Sequence, residues 1–165
     1  MEYKILESTG VEITHVDGAA FNNFSSGGKS GILPEVLDEC RAIALTSDTV
    51  QISTGELLIK GFRVKITSPY TITKPSNIVD TEYFLIAKLI LGSTGLVSFR
   101  IEARQNSTLT QEDLFKFGFG TYEIELCRFV VGSSGISNFS QTAQIISGGT
   151  ATPEWDGSYT ITGGG

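Results

Sequence analysis

Between residues 97 and 104, Val97, Phe99, Ile101 and Ala103 alternate with Ser98, Arg100, Glu102 and Arg104. A repeat of two puts successive side chains on opposite faces of an extended chain, so this run specifies a strand with one apolar face. The same period recurs from end to end of the 165 residues. It fits the make-up of the chain: 17 Ile, 9 Val and 18 Thr give 44 β-branched residues, against 8 Ala. β-branched side chains lose rotamer freedom in helices and fit pleated sheets, which disfavours a helical bundle. The pattern predicts an all-β chain, an antiparallel β-sandwich or barrel-like module with one or two short helices. Alternation alone serves both architectures, and the sandwich is the preferred reading.

Local signals divide the chain further. Val11 and Ile13 predict a first strand running on to Val16 and closed by the pair Asp17–Gly18. The small, polar and glycine-rich stretch that follows, with Phe21 and Phe24 as its large anchors, reads as a loop. A short helix is expected around Pro34, with Val36, Leu37 and Cys40 on one face. Strands follow at residues 42–45, 49–53 and 56–60. At Gly61 the apolar phase moves from odd positions (Leu57, Ile59) to even ones (Phe62, Val64, Ile66), which predicts a bulge or corner. Arg63 and Lys65 then point to solvent. Residues 68–77 read as a loop. Residues 81–91 are apolar on both faces, as in a strand covered on both sides, and Gly92–Ser93–Thr94–Gly95 reads as a hairpin loop leading to the strand LVSFRIEAR, residues 96–104. A helix over 110–116, a long strand over 121–131 and short strands at 136–139 and 142–146 complete the module. Composition changes at Ser147, dividing the chain into a β-rich structural module, 1–147, and a glycine-rich C-terminal extension, 148–165, with a short strand at 159–161.

Charge and motifs exclude several kinds of chemistry. The chain has 12 basic and 18 acidic residues and a net charge of −6. A phosphate backbone would be repelled unless a basic stripe existed, and only Arg63 and Lys65 stand close together, so no nucleic-acid partner is expected. The first twenty residues lack a basic region followed by an apolar one, which predicts no secretory signal. The apolar run 84–91 is too short for a spanning helix and is interrupted by Lys88, so a soluble protein without membrane insertion is expected. Cys40 and Cys127 have no neighbouring Cys or His at metal-ligand spacing and read as buried free thiols; no metal or other cofactor is expected. Gly27–Gly28–Lys29–Ser30 ends like a phosphate loop, but the first glycine of that motif falls on Asn23 and no helix opens directly after it. His15 and Asp17 would share a strand face, yet none of the seventeen serines sits in a nucleophile elbow. Glu123 and Glu125 share a strand face about 6.6 Å apart by strand rise; carboxylate pairs that cleave glycosides must flank a cleft, so these two read as structural. Trp155, with Asp156 and Tyr159, is a candidate sugar or subunit contact, since an aromatic face can stack on a sugar ring while acids accept its hydroxyl hydrogens.

One longer stretch is more informative. Gly31–Ile32–Leu33, a strand around Cys40–Arg41–Ala42–Ile43, and the hairpin V-x-I-x-x-G-x-x-x-I-x-G on Val50, Ile52, Gly55, Ile59 and Gly61 resemble a recurring segment of tailed-phage baseplate and tail-fibre proteins. The downstream order is similar too. The apolar strand YFLIAKLIL precedes SFRIEAR, then Leu109–Thr110–Gln111, GTYEIELCRFVV and a turn with Ile136. The likeness covers residues 21–146. Where related proteins carry an Asp-Arg pair ahead of the apolar strand, this chain has Asp80–Thr81–Glu82, and the part before Gly18 matches poorly. The resemblance implies a non-enzymatic virion structural or adaptor module of a phage or prophage tail tip, linking the tail to a distal receptor-binding region. It implies a homotrimer partnered by other tail proteins, located in the virion tail and assembled in the cytoplasm of the bacterial host. The alternative reading is a carbohydrate-binding module that uses Trp155 and its acidic neighbours on a host cell-surface glycan.

Overall fold

A computed structural model describes residues 15–147. Ten strands and two helices make up this part: α1 (His15–Ser25), β1 (Gly31–Ile32), β2 (Ala42–Ala44), β3 (Thr49–Ile52), β4 (Gly55–Ile59), β5 (Phe62–Ile66), β6 (Tyr70–Thr73), β7 (Thr81–Leu91), β8 (Val97–Arg104), α2 (Leu114–Phe117), β9 (Gly120–Gly132) and β10 (Gly135–Gln141). The strands form one four-stranded sheet, ordered β10-β9-β7-β8, and two three-stranded sheets, β1-β4-β5 and β2-β3-β6. All the strand pairs in these sheets are antiparallel. The fold is all-β and sandwich-like, as the alternation predicts.

One core joins the three sheets. Tyr83, Leu85, Ala87, Leu89 and Leu91 of β7 and Ile124, Cys127, Phe129 and Val131 of β9 pack in one cluster with Ile32, Val50, Ile52, Leu57 and Ile59 from the smaller sheets. Phe129 is fully buried and stacks on Tyr83 and Phe139. Burying side chains of this size contributes roughly 1.5–3 kcal/mol each, and such clusters dominate the stability of small domains.

Several expectations need correction. The strand through Val16 does not form there: residues from His15 to Ser25 are helical, so Val16 and the first part of the stretch behind it are helix, and the expected loop is confined to residues 26–30. Ala19 lies directly against Gly61, where an added Cβ would come within 1.8 Å of the Ala19 carbonyl oxygen, and this packing outweighs the local alternation. The helix around Pro34 is absent. Glu35, Leu37, Glu39 and Cys40 instead have positive φ, and the Asp38 and Cys40 amides donate to the Thr54 carbonyl rather than to a helical neighbour. Gly55 permits that approach, since a Cβ there would lie 2.4 Å from the Cys40 nitrogen. Consequently Leu37 is exposed while Cys40 is buried. Residues 70–73 form β6, paired with β3, where a loop is expected. Gly61 marks neither bulge nor corner: Ile59 pairs with Phe62, and Lys60 and Gly61, both with positive φ, form a two-residue hairpin turn.

The strand expected at 142–146 does not form, since there only Ile145 makes an isolated bridge, to Ile32, and the expected hairpin over Val50–Gly61 is divided between β3 and β4 of different sheets, because β3 pairs with β6 and β4 with β5. β7 spans residues 81–91 and β8 spans 97–104, joined through Gly92–Gly95. The helix expected over 110–116 is shorter, Leu114–Phe117, and ends in a left-handed glycine, Gly118. Both cysteines are free and buried. Residues 1–14 and 148–165 lie outside the described part, and with them the expected strand around Val11 and Ile13 and the C-terminal extension.

Candidate interaction surface

β7 buries both of its faces, but by different means. The face turned from the core carries Phe84, Ile86 and Lys88, each flanked across the sheet by charges. Arg104 and Arg128 flank Phe84, Glu102 and Glu125 flank Ile86, and Arg100 and Glu123 flank Lys88. The Arg128 guanidinium stands 5.1 Å from the centre of the Phe84 ring. Ile86 is fully buried although no second apolar layer lies above it in the core cluster. Aliphatic stems of the long charged side chains supply that cover, with their heads paired among themselves.

Glu123 is the centre of this face. It is buried, and its carboxylate accepts from both terminal nitrogens of Arg104 and from the Thr110 amide at 2.8 Å. The Lys88 Nζ lies 3.8 Å away. Gln111 donates to the Glu123 carbonyl at 3.0 Å, and Arg104 donates to the Thr108 carbonyl. The connection between β8 and α2 is therefore tied to the sheet at this residue. The Arg104 guanidinium holds the Glu123 carboxyl below the usual carboxylate range, against the opposing effect of burial. Glu125 is paired separately with Arg128 at 2.9 Å. Both glutamates are thus bound in ion pairs, as their reading as structural carboxylates anticipates. Their acceptor positions are taken by protein donors.

The other chemical candidates are placed as follows. His15 opens α1 and its Nε2 donates to the Gly95 carbonyl at 2.5 Å. Because the segment is helical, residues two apart no longer share a face, which separates the roles expected for His15 and Asp17. Lys29 and Ser30 come after the turn that follows α1, and no helix begins after them before β1. Cys40 and Cys127 are both buried in the core cluster, and burial pushes their thiols up to about 11 and about 12. Among the described residues no group of three or more His, Cys, Asp or Glu side chains could hold a metal ion. No helix among them is long and apolar enough to cross a membrane. Trp155, Asp156 and Tyr159 lie outside the described residues.

What the described surface does offer is apolar. Leu91 pairs with both Val97 and Gly120, so the β7–β8 turn and the α2–β9 junction lie at one end of the large sheet. α1 spans the same end, with His15 on Gly95 and the Asn22 side chain donating to the Gly61 carbonyl at 3.1 Å. Lys60 in the β4–β5 turn lies over the rings of Phe115 and Tyr122, and Phe62 stacks on Phe115. This end carries Phe24 at 80% exposure, Leu96 at 74%, Phe117 at 61%, and Phe21 and Phe119 also exposed. A single exposed apolar residue is ordinary; four phenylalanines and a leucine make this end a candidate interaction surface, while Ile78 at 87% and Val79 at 76% are exposed apart from it. Sequence reasoning treated Phe21 and Phe24 as anchors of a loop, and the helical i, i+3 spacing that places them on one outer face was the missed signal.

Comparison with protein-family models finds no match for the chain, and no curated protein matches it.

Proposed function

We propose that this chain is a non-enzymatic structural or adaptor module of a phage or prophage tail tip, working as a homotrimer that links the tail to a distal receptor-binding region. The observation that supports this reading is the concentration of exposed Phe21, Phe24, Leu96, Phe117 and Phe119 at one end of a sandwich whose sheet glutamates Glu123 and Glu125 are held by Arg104 and Arg128. Assembly modules need shape and a surface to be covered rather than reactive groups. The segment with Val50, Ile52, Gly55, Ile59 and Gly61, on which the likeness to baseplate and tail-fibre proteins rests, runs through β3 and β4, which lie in different sheets, and ends at the Lys60–Gly61 turn of that same end. Such a module would reside in the virion tail after assembly in the host cytoplasm.

Size-exclusion chromatography with light scattering on the full chain tests it. A stable trimer, dissociated by Phe117→Ser combined with Phe24→Ser, is the expected result. A strict monomer at high concentration would overturn the assembly reading.

A further inference from the structure

β8 ends the large sheet on one side: it pairs with β7, and among the described residues no strand pairs with its other edge. One phase of this strand is polar, with Arg100, Glu102 and Arg104 following Ser98, and the other is apolar. Arg100 is exposed, and the residue directly opposite it in β7 is Lys88, a like charge. Like charges facing each other across a ladder are destabilising, whereas opposite charges stabilise. In the apolar phase, Phe99 and Ile101 line an open hollow of about 420 Å³ together with Val64, Ile66 and Tyr70. A strand edge beside an apolar hollow is a place where an added strand gains backbone hydrogen bonds and apolar burial together.

We propose that this edge pairs with β8 of a second copy, antiparallel about a two-fold axis at Ile101. Residues opposite each other in a ladder share a face of the sheet, so the axis falls beside a residue rather than between two. Charge selects which residue. Centred on Arg100 or on Glu102, the pairing sets that charge against its own copy. Centred on Phe99, it gives Arg100 only a serine, and centred on Ala103 it overlaps β8 only over residues 102–104. Centred on Ile101, it runs over residues 98–104 and sets Arg100 of each protomer against the partner's Glu102. Phe99 then lies opposite the partner's Ala103, a large side chain against a small one, and the partner's Ile101 comes to the side of the hollow. Such a contact is isologous: the same patch serves both copies. It is a different surface from the apolar end, and it does not rest on the tail-tip reading. It is smaller than the roughly 20–30 residues a side of a standard interface, so it joins copies at high concentration or where an assembly already gathers them.

Sedimentation equilibrium of the full chain carrying Phe24→Ser and Phe117→Ser tests it, since those changes take the apolar end out of the measurement. A monomer–dimer equilibrium at high concentration is the expected result. Arg100→Glu or Glu102→Arg, added singly, should weaken the dimer about tenfold or more. An equimolar mixture of those two variants should recover it, because positions 100 and 102 of unlike partners again carry opposite charges. A monomer at every concentration would overturn the proposal and leave the trimer reading standing. Single variants that still dimerise would overturn it too, as would a mixture that does not recover, which would confine the charges to a role within one chain. Cysteine cross-linking gives an answer even where Glu102→Arg fails to fold, and the native Cys40 and Cys127 are buried. On oxidation Ile101→Cys, on the axis, should join two chains, while Ala103→Cys, about 13 Å from its own copy by strand rise, should not. No cross-link at position 101, or equal yields at both positions, would overturn the pairing.

Discussion

Glu123 and Arg104 show how a charged pair can organise a sheet face at the scale of single residues. Removing one partner of a buried pair leaves the other without compensation, which typically costs about 3–5 kcal/mol, whereas replacing both costs much less. Arg104→Leu should therefore destabilise the protein by about 3 kcal/mol or more in urea unfolding, and Arg104→Leu with Glu123→Leu should recover most of it. The pH dependence follows from the same contact. The Glu123 carboxyl is held below its ordinary value in the folded chain, so its contribution is fully present above the unfolded value and lost as pH falls through the folded one. Glu56 beside Arg63 and Glu102 beside Arg100 shift in the same direction. Stability measured from pH 7 downwards should begin to fall below about pH 4.5, and Glu123→Gln should flatten that fall. The cysteines give a third prediction. With their thiols raised by burial, Cys40 and Cys127 should resist an aqueous thiol reagent in the native protein and react once it is unfolded.

At the scale of elements, the Lys60–Gly61 turn decides more than a hairpin. Gly61 has φ +84° and receives the Ala19 carbonyl where a side chain would be. Gly61→Ala should cost about 1–2 kcal/mol for the left-handed backbone alone and more for displacing α1. Faster exchange of the α1 amides would show the second effect. The phase change at Gly61 was visible in the sequence, but a two-residue turn and a bulge both shift alternation, and only the Ile59–Phe62 pairing separates them. β7 is legible to the residue and β8 to within one, because eleven and eight residues of unbroken pattern meet at the glycine-bounded turn Gly92–Gly95. β6 is not. Its four residues lie between Pro69 and Pro75, and its pairing with β3 is a long-range contact that no local pattern encodes. α1 is hidden for a different reason: local alternation continues through Val16, in a segment whose helix is fixed by docking of Ala19 on Gly61.

At the scale of the whole molecule, the sequence announced an all-β chain but not which end would be left apolar. That surface depends on α1 and α2, the two elements whose extents local pattern defined least well. Single substitutions of exposed residues there should leave folding nearly untouched. Phe117→Ser should change the thermal midpoint by no more than a degree or two at a dilution where the protein is a monomer, while weakening self-association at high concentration.

The parallel bridge between Ile32 and Ile145, with the Ile32 amide bonded to Gln144 and the Ile146 amide bonded back to Ile32, has a temporal meaning. β1 is made early in synthesis, yet it lies between β4 and a partner more than a hundred residues later. On a ribosome the first hairpins can pair as they emerge, but the sandwich cannot lock until residue 146 has left the exit tunnel. Closure over such separations is slow, so the nascent chain carries open strand edges for most of its synthesis.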